Sequence, residues 1–293
     1  MGSLGERTSG GAVASRVGGA VTVIRVVNMI ALAAMLVLTA GCGSTTTPSP
    51  KVMPASGGLS EVLQRGTVRV CSTGDYRPFT YRDPAGTWSG LDIDMANDMA
   101  GRLGVRVVLV PTTWASLVDD LNTKCDVAMG GISITLKRAE QALYSAPYLR
   151  DGKAAIVRCA DSSKFPTLTE IDRPGVRVVV NPGGTNAEFD KDHLHNAQVV
   201  TYPDNNTILS QIISGAADVM ITDTSEIRWQ VSRNPQLCGE SLDHPFTFSQ
   251  KAYLIARPAA DLQQWINQWL NITLNDGTYA ALSQKYFGAV TGP

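Results

Sequence analysis

Residues 126–138, Asp-Val-Ala-Met-Gly-Gly-Ile-Ser-Ile-Thr-Leu-Lys-Arg, carry the most readable chemistry in this 293-residue chain. A short apolar strand runs into Gly130-Gly131, then into the hydroxyls Ser133 and Thr135 and the cation Arg138. Glycine after a strand lets backbone N–H groups approach a ligand, and a guanidinium offers a planar fork for a carboxylate. A second half-site follows: Asn181-Pro182-Gly183-Gly184-Thr185-Asn186 comes after a strand at residues 176–180 and opens a helix. Residues 218–223 form a strand ending in Asp223. The two groups together suit a small carboxylate held between two βα lobes.

The elements that must position these residues alternate. Strands are expected at 68–71, 105–110 and 126–129, with helices at 92–104 and 115–121. In the first helix Asp92 reads as the cap and Gly104 as the stop. After Gly152 the pattern repeats: strands at 176–180, 199–201 and 219–222, and a helix at 207–216. Residues 262–287 carry two further helical patterns. This alternation predicts an α/β fold with a mainly parallel sheet flanked by helices in each lobe. A mature chain of roughly 250 residues accommodates two such lobes. Ligands of open α/β sheets bind at the carboxyl ends of strands, where both Gly-rich turns fall.

The composition, 44% hydrophobic and 17% charged with a formal net charge of −1, gives no reason to expect nucleic acid as a partner. The N-terminus differs from the rest. Arg7, Arg16 and Arg25 precede an apolar run at 26–38 and then Thr39-Ala40-Gly41-Cys42, the pattern of a secretory signal over residues 1–41. Cysteine directly after small residues looks like a bacterial lipobox, so Cys42 is the expected lipidation site, with Thr39 where such boxes more often carry Leu or Val. Removing residues 1–41 takes away three Arg and Glu6 and moves the formal charge from −1 to −3. Residues 43–58, rich in Ser, Thr, Pro and Gly, read as a flexible tether. The expected location is the outer face of the cell membrane.

An oxidising compartment permits disulfides. Cys159 and Cys238 flank one lobe, and pairing them ties its edges together. Cys71 and Cys125, each in or beside an apolar strand, are expected to be buried free thiols. No Cys/His cluster has metal-ligand spacing, and neither metal nor cofactor is expected. A monomer is the default expectation.

The motifs Gly74-Asp75-Tyr76-Arg77-Pro78-Phe79, 145–153 (Ser-Ala-Pro-Tyr-Leu-Arg-Asp-Gly-Lys), 181–186, Pro203-Asp204-Asn205 and Lys251-Ala252-Tyr253-Leu254 span nearly the whole mature chain. Together they resemble the family 3 bacterial extracellular solute-binding proteins, and within them the periplasmic cyclohexadienyl dehydratase branch. The resemblance implies a two-lobed periplasmic-binding-protein fold: one lobe from residues 59–152 plus 250–293, the other from 153–249, hinged near 151–154 and 248–251. It implies that Arg138 grips a ligand α-carboxylate, shared by Ser133 and the amide beside Gly131. Gly184 and Thr185 bring the helix start to the same oxygens, although Thr185 equally suits a helix cap. Asp223 matches the acceptor of an α-ammonium, or caps the following helix. Tyr76 and Trp114 match aromatic positions that sandwich the ligand, or belong to the core.

For function, the resemblance implies two classes. One is a lipid-anchored receptor of an ABC importer that closes on a small carboxylate, an amino acid first, and docks on a membrane permease. The other is an exported dehydratase that removes water and carbon dioxide together from prephenate or arogenate, which needs a general acid. In that branch the acid directly follows the Gly-Gly-Thr-Asn stretch. Here Ala187 stands there, with Glu188 one residue later and about 100° further round a helix. Asp223 and Asp75 are the other acids expected in the cleft, and Lys153, Arg77 and Arg82 the candidates for a second cation. The receptor reading is preferred.

Overall fold

A computed structural model of the chain describes residues 58–293. The expected signal segment, Cys42 and the tether up to residue 57 lie outside the described residues.

Two five-stranded sheets organise the rest. The first runs in the order Arg106–Pro111, Thr67–Ser72, Val127–Ala128, Leu254–Ala256, Ala142–Tyr144. Only Leu254–Ala256 is antiparallel to its neighbours, so the other four strands point one way. The second sheet, Gln198–Thr201, Arg177–Val180, Val219–Asp223, Lys153–Arg158, Leu237–Glu240, repeats this plan with Lys153–Arg158 as the single reversed strand. Strands of such sheets are covered on both faces and read as continuous apolar runs. Accordingly, Val219–Asp223 is buried at all five positions. Successive side chains enter opposite cores: Ile156, Val179 and Met220 pack with Ile212 and Ile227, whereas Val157, Val178 and Ile221 pack with Ile171 and Phe189.

The chain passes between the lobes twice, and the two crossings pair as an antiparallel ladder of Leu149–Asp151 with Ser249–Lys251. Lys251 is therefore part of the hinge, and it also bridges to Ser133. The helix Leu91–Leu103 ends on left-handed Gly104, but its N-cap is Gly90. Asp92, expected as the cap, lies inside the first turn with no exposed surface. The expected 115–121 helix spans Leu117–Lys124, and the expected 207–216 helix is only Leu209–Ile213.

Cys71 and Cys125 are not free thiols: they form a disulfide, with Cα atoms 5.7 Å apart. The reason is sheet order. Thr67–Ser72 and Val127–Ala128 are adjacent parallel strands with Cys71 opposite Ala128, so Cys125 arrives beside its partner. Cys159 and Cys238 form a second disulfide across the strand pair that closes the other sheet. A bridge separated by 54 residues removes much loop entropy from the unfolded chain. Replacing Cys71 and Cys125 by alanine is expected to lower unfolding free energy by about 4 kcal/mol, measured in equilibrium denaturation.

Candidate functional site

A small, tightly closed cavity lies between the lobes. Tyr76, Trp114, Gly131, Ser133 and Arg138 line it from the first lobe, and Gly184, Thr185 and Asp223 from the second, so the eight candidate ligand residues meet on one surface. The lobes touch around it. The Tyr76 hydroxyl donates to Asp223 and Asn205 Nδ2 donates to the Asp75 carbonyl at 2.8 Å. Gly183, at φ 72°, lets the second lobe lie so close that a Cβ there would stand 3.0 Å from the Ala115 amide nitrogen.

Beneath the cavity sit two buried lysines. Lys153 Nζ donates to Asp223, Thr185 Oγ1 and Asn186 Oδ1. Lys251 Nζ donates to Asp223 and to Ser133 Oγ at 2.9 Å. An ammonium has only donors, so Ser133 and Thr185 must accept from it. Each hydroxyl then keeps its own proton for something in the cavity, and the two stand on opposite lobes. Arg138 is oriented by its bond to the Ser133 carbonyl at 3.1 Å. It is not paired with Glu140 or Asp126; Asp126 is held by Arg65 and Arg69.

The charges largely cancel below the cavity floor. Burial pushes the Asp223 carboxyl up, but the two ammoniums and the bonds from Lys251 and Tyr76 outweigh it and hold it well below the usual range. Burial lowers the Lys153 pKa, opposed by Asp223. Asp151 lies 3.7 Å from Lys251. Two lysines against Asp223 and Asp151 leave Arg138 as the unbalanced charge of this cluster, and it is the cation that lines the cavity. Glu226, behind Thr222, is pushed by burial up to about 7.

Several expectations change. The Gly131 N–H donates to Asp92 at 2.6 Å, so it is not available to a ligand. Gly131 instead shapes the wall, since a Cβ there would strike Phe79 at 2.6 Å and Tyr76 at 2.8 Å. Asp92 also accepts from Tyr148 and Tyr253, and burial pushes it up to about 6. Asp223 stands at the start of the helix Thr224–Val231, yet its side chain makes no capping bond. Tyr76 and Trp114 meet edge to face at 88°, so in this arrangement they form a corner and not parallel plates. Asp75 is not on the cavity but behind Trp114, accepting its indole N–H at 3.1 Å. Arg77 lies over the Tyr81 ring and Arg82 over Trp88, both away from the cavity.

Glu188 also lies elsewhere. It is half exposed and bonds Lys137 across the cleft rim at 3.2 Å. Both it and Ala187 line a separate outer cavity. The sequence assigns no role to Lys251, Asn181, Asn186 or Asn205. The available signal was a lone lysine ahead of the apolar run 252–256 and asparagines in two turn motifs, each too common to single out.

Asp190, one turn beyond Asn186, has no exposed surface, and neither carboxylate oxygen has a hydrogen-bond partner. Burial pushes its pKa up to about 7 from 3.8, against the pull of Lys153. A raised carboxyl means the folded state keeps a proton that the unfolded chain releases. Its stabilising effect is full at acid pH and is lost as pH rises from about 4 to about 7. Asp190→Asn is therefore expected to gain stability over the parent between about pH 5 and pH 8, read from urea midpoints. Parallel profiles would refute the assignment.

Two α/β lobes on a double-crossing hinge, shut over a polar cavity, define a hinge-type solute-binding protein. The chain belongs to the bacterial extracellular solute-binding proteins, family 3, whose model matches residues 68–289. It is 46% identical over 220 residues to the cyclohexadienyl dehydratase of Pseudomonas aeruginosa, covering 75% of this chain and 82% of that one. It is 27% identical over 245 residues to the L-cystine-binding protein TcyJ of Escherichia coli, covering 82% and 90%. Among solved structures, an ancestral amino acid-binding protein, a precursor of cyclohexadienyl dehydratase, superposes with a TM-score of 0.73 at 33% identity, covering 78% of this chain and 99% of that one. Membership of this extracellular family makes the chain an exported protein. Among the described residues no helix is long and apolar enough to cross a membrane.

Proposed function

We propose that this protein is the receptor of an ABC importer, anchored through lipid on Cys42, which captures a small carboxylate by hinge closure and delivers it to a membrane permease. The observation that carries the ligand class is the donor set: the Arg138 guanidinium with the Ser133 and Thr185 hydroxyls, whose protons are left free by Lys251 and Lys153. Because the donors come from both lobes, a bound carboxylate favours the closed form over the open one. The relatives named for cystine, and for lysine, arginine and ornithine, support an amino acid first. Titration calorimetry with amino acids and keto acids tests the reading. A protein that binds no carboxylate sinks it.

A second reading is an exported cyclohexadienyl dehydratase, favoured by the 46% identity to that enzyme. Against it stands the missing acid: Ala187 takes its place, and Glu188 pairs with Lys137 at the rim. A positioned acid supplies roughly 10²–10⁴-fold, so its loss matters. The expected result with prephenate is no phenylpyruvate absorbance above background. Turnover that Glu188→Ala abolishes would install the enzyme reading.

A further inference from the structure

Asp223, the residue matched to an α-ammonium, already accepts from Lys153, Lys251 and Tyr76. Another acceptor stands ready. Asn205 lines the same cavity and is only 5% exposed. Its Nδ2 is committed to the Asp75 carbonyl of the opposite lobe at 2.8 Å, which fixes which end of the amide is the oxygen. Its Oδ1 is buried with no hydrogen-bond partner. Asn181, also 5% exposed on this cavity, has an equally unpartnered Oδ1. Buried acceptors without donors destabilise the form that buries them.

We propose that Asn205 is a specificity-determining residue that reads a hydroxyl or ammonium beside the ligand's carboxylate, so that the cleft takes small hydroxy acids as well as amino acids. This rests on the carboxylate reading above. The cross-lobe bond from Nδ2 can exist only when the lobes are shut, so Oδ1 is set in place by closure itself. A ligand N–H or O–H then satisfies it and favours the closed state. An amide oxygen is neutral and accepts from a hydroxyl as from an ammonium, so it selects for a donor and not for positive charge. A plain CH₂ or a keto group at that carbon donates nothing.

Two matched sets of probes test this by calorimetry on the full-length protein: L-phenylalanine, L-phenyllactate and phenylpropionate, then L-glutamate, 2-hydroxyglutarate and glutarate. In each set the amino and hydroxy members are expected to bind about tenfold more tightly than the unsubstituted acid. Asn205→Ala is expected to bring all three to the weakest level, and Asn205→Asp to keep a donor preference but shift it toward the ammonium over the hydroxyl. Equal binding within both sets by the unmodified protein overturns the proposal without needing any variant to fold. So does a preference that survives unchanged in Asn205→Ala. If no member of either set binds, and no other amino or keto acid does, the carboxylate reading falls and this inference with it. Binding that Arg138→Ala weakens while Asn205→Ala leaves the preference intact overturns the inference alone.

Discussion

Arg138→Ala is expected to weaken carboxylate binding by roughly 10- to 150-fold, the worth of hydrogen bonds to a charged group. Arg138 is the cation on the cavity wall that no carboxylate of the cluster neutralises, so nothing nearby substitutes for it. Arg138→Lys keeps the charge but loses the planar fork, and recovers only part of the affinity. Stability should change little in either variant, because among the described residues the guanidinium bonds only the Ser133 carbonyl. Calorimetric Kd values set beside urea midpoints check both halves. Ligand affinity untouched in Arg138→Ala would remove the clamp.

Lys251→Met is expected to have the largest effect on folding, a loss of about 3–5 kcal/mol. Lys251 has no exposed surface and faces two buried carboxylates, Asp223 and Asp151. Removing its charge leaves both with Lys153 as the remaining ammonium of the cluster. Lys251→Met combined with Asp223→Asn should recover much of the loss, because the second change removes the stranded charge. The single variant should also bind ligand less well, since Ser133 is then free to turn its proton away from the cavity. A single variant as stable as the parent would mean the cluster is wetter than its burial implies.

The local pattern of residues determined a good deal. Apolar runs such as 176–180 and 219–222 read as strands because a strand covered on both faces needs side chains that tolerate burial everywhere along it. Gly-rich turns after those strands marked the carboxyl ends of the sheets, and hence the cavity, since the direction of a parallel sheet decides where its loops collect. Arg138, Ser133 and Thr185 were legible for that reason.

Tertiary structure alone decided what those residues do to one another. Cys71 and Cys125 looked like two small buried groups until strand order made them neighbours. Lys251 and Lys153 lie 98 positions apart, and only the hinge ladder and the reversed strand bring both onto Asp223. The same encounter takes up much of Asp223's accepting capacity, while Asn205, held across the lobes through its Nδ2, keeps a buried Oδ1 without a hydrogen-bond partner. Periodicity records which face of an element is buried. Hydrogen-bond partners depend on which faces meet, and that is settled by the packing of segments far apart in the chain.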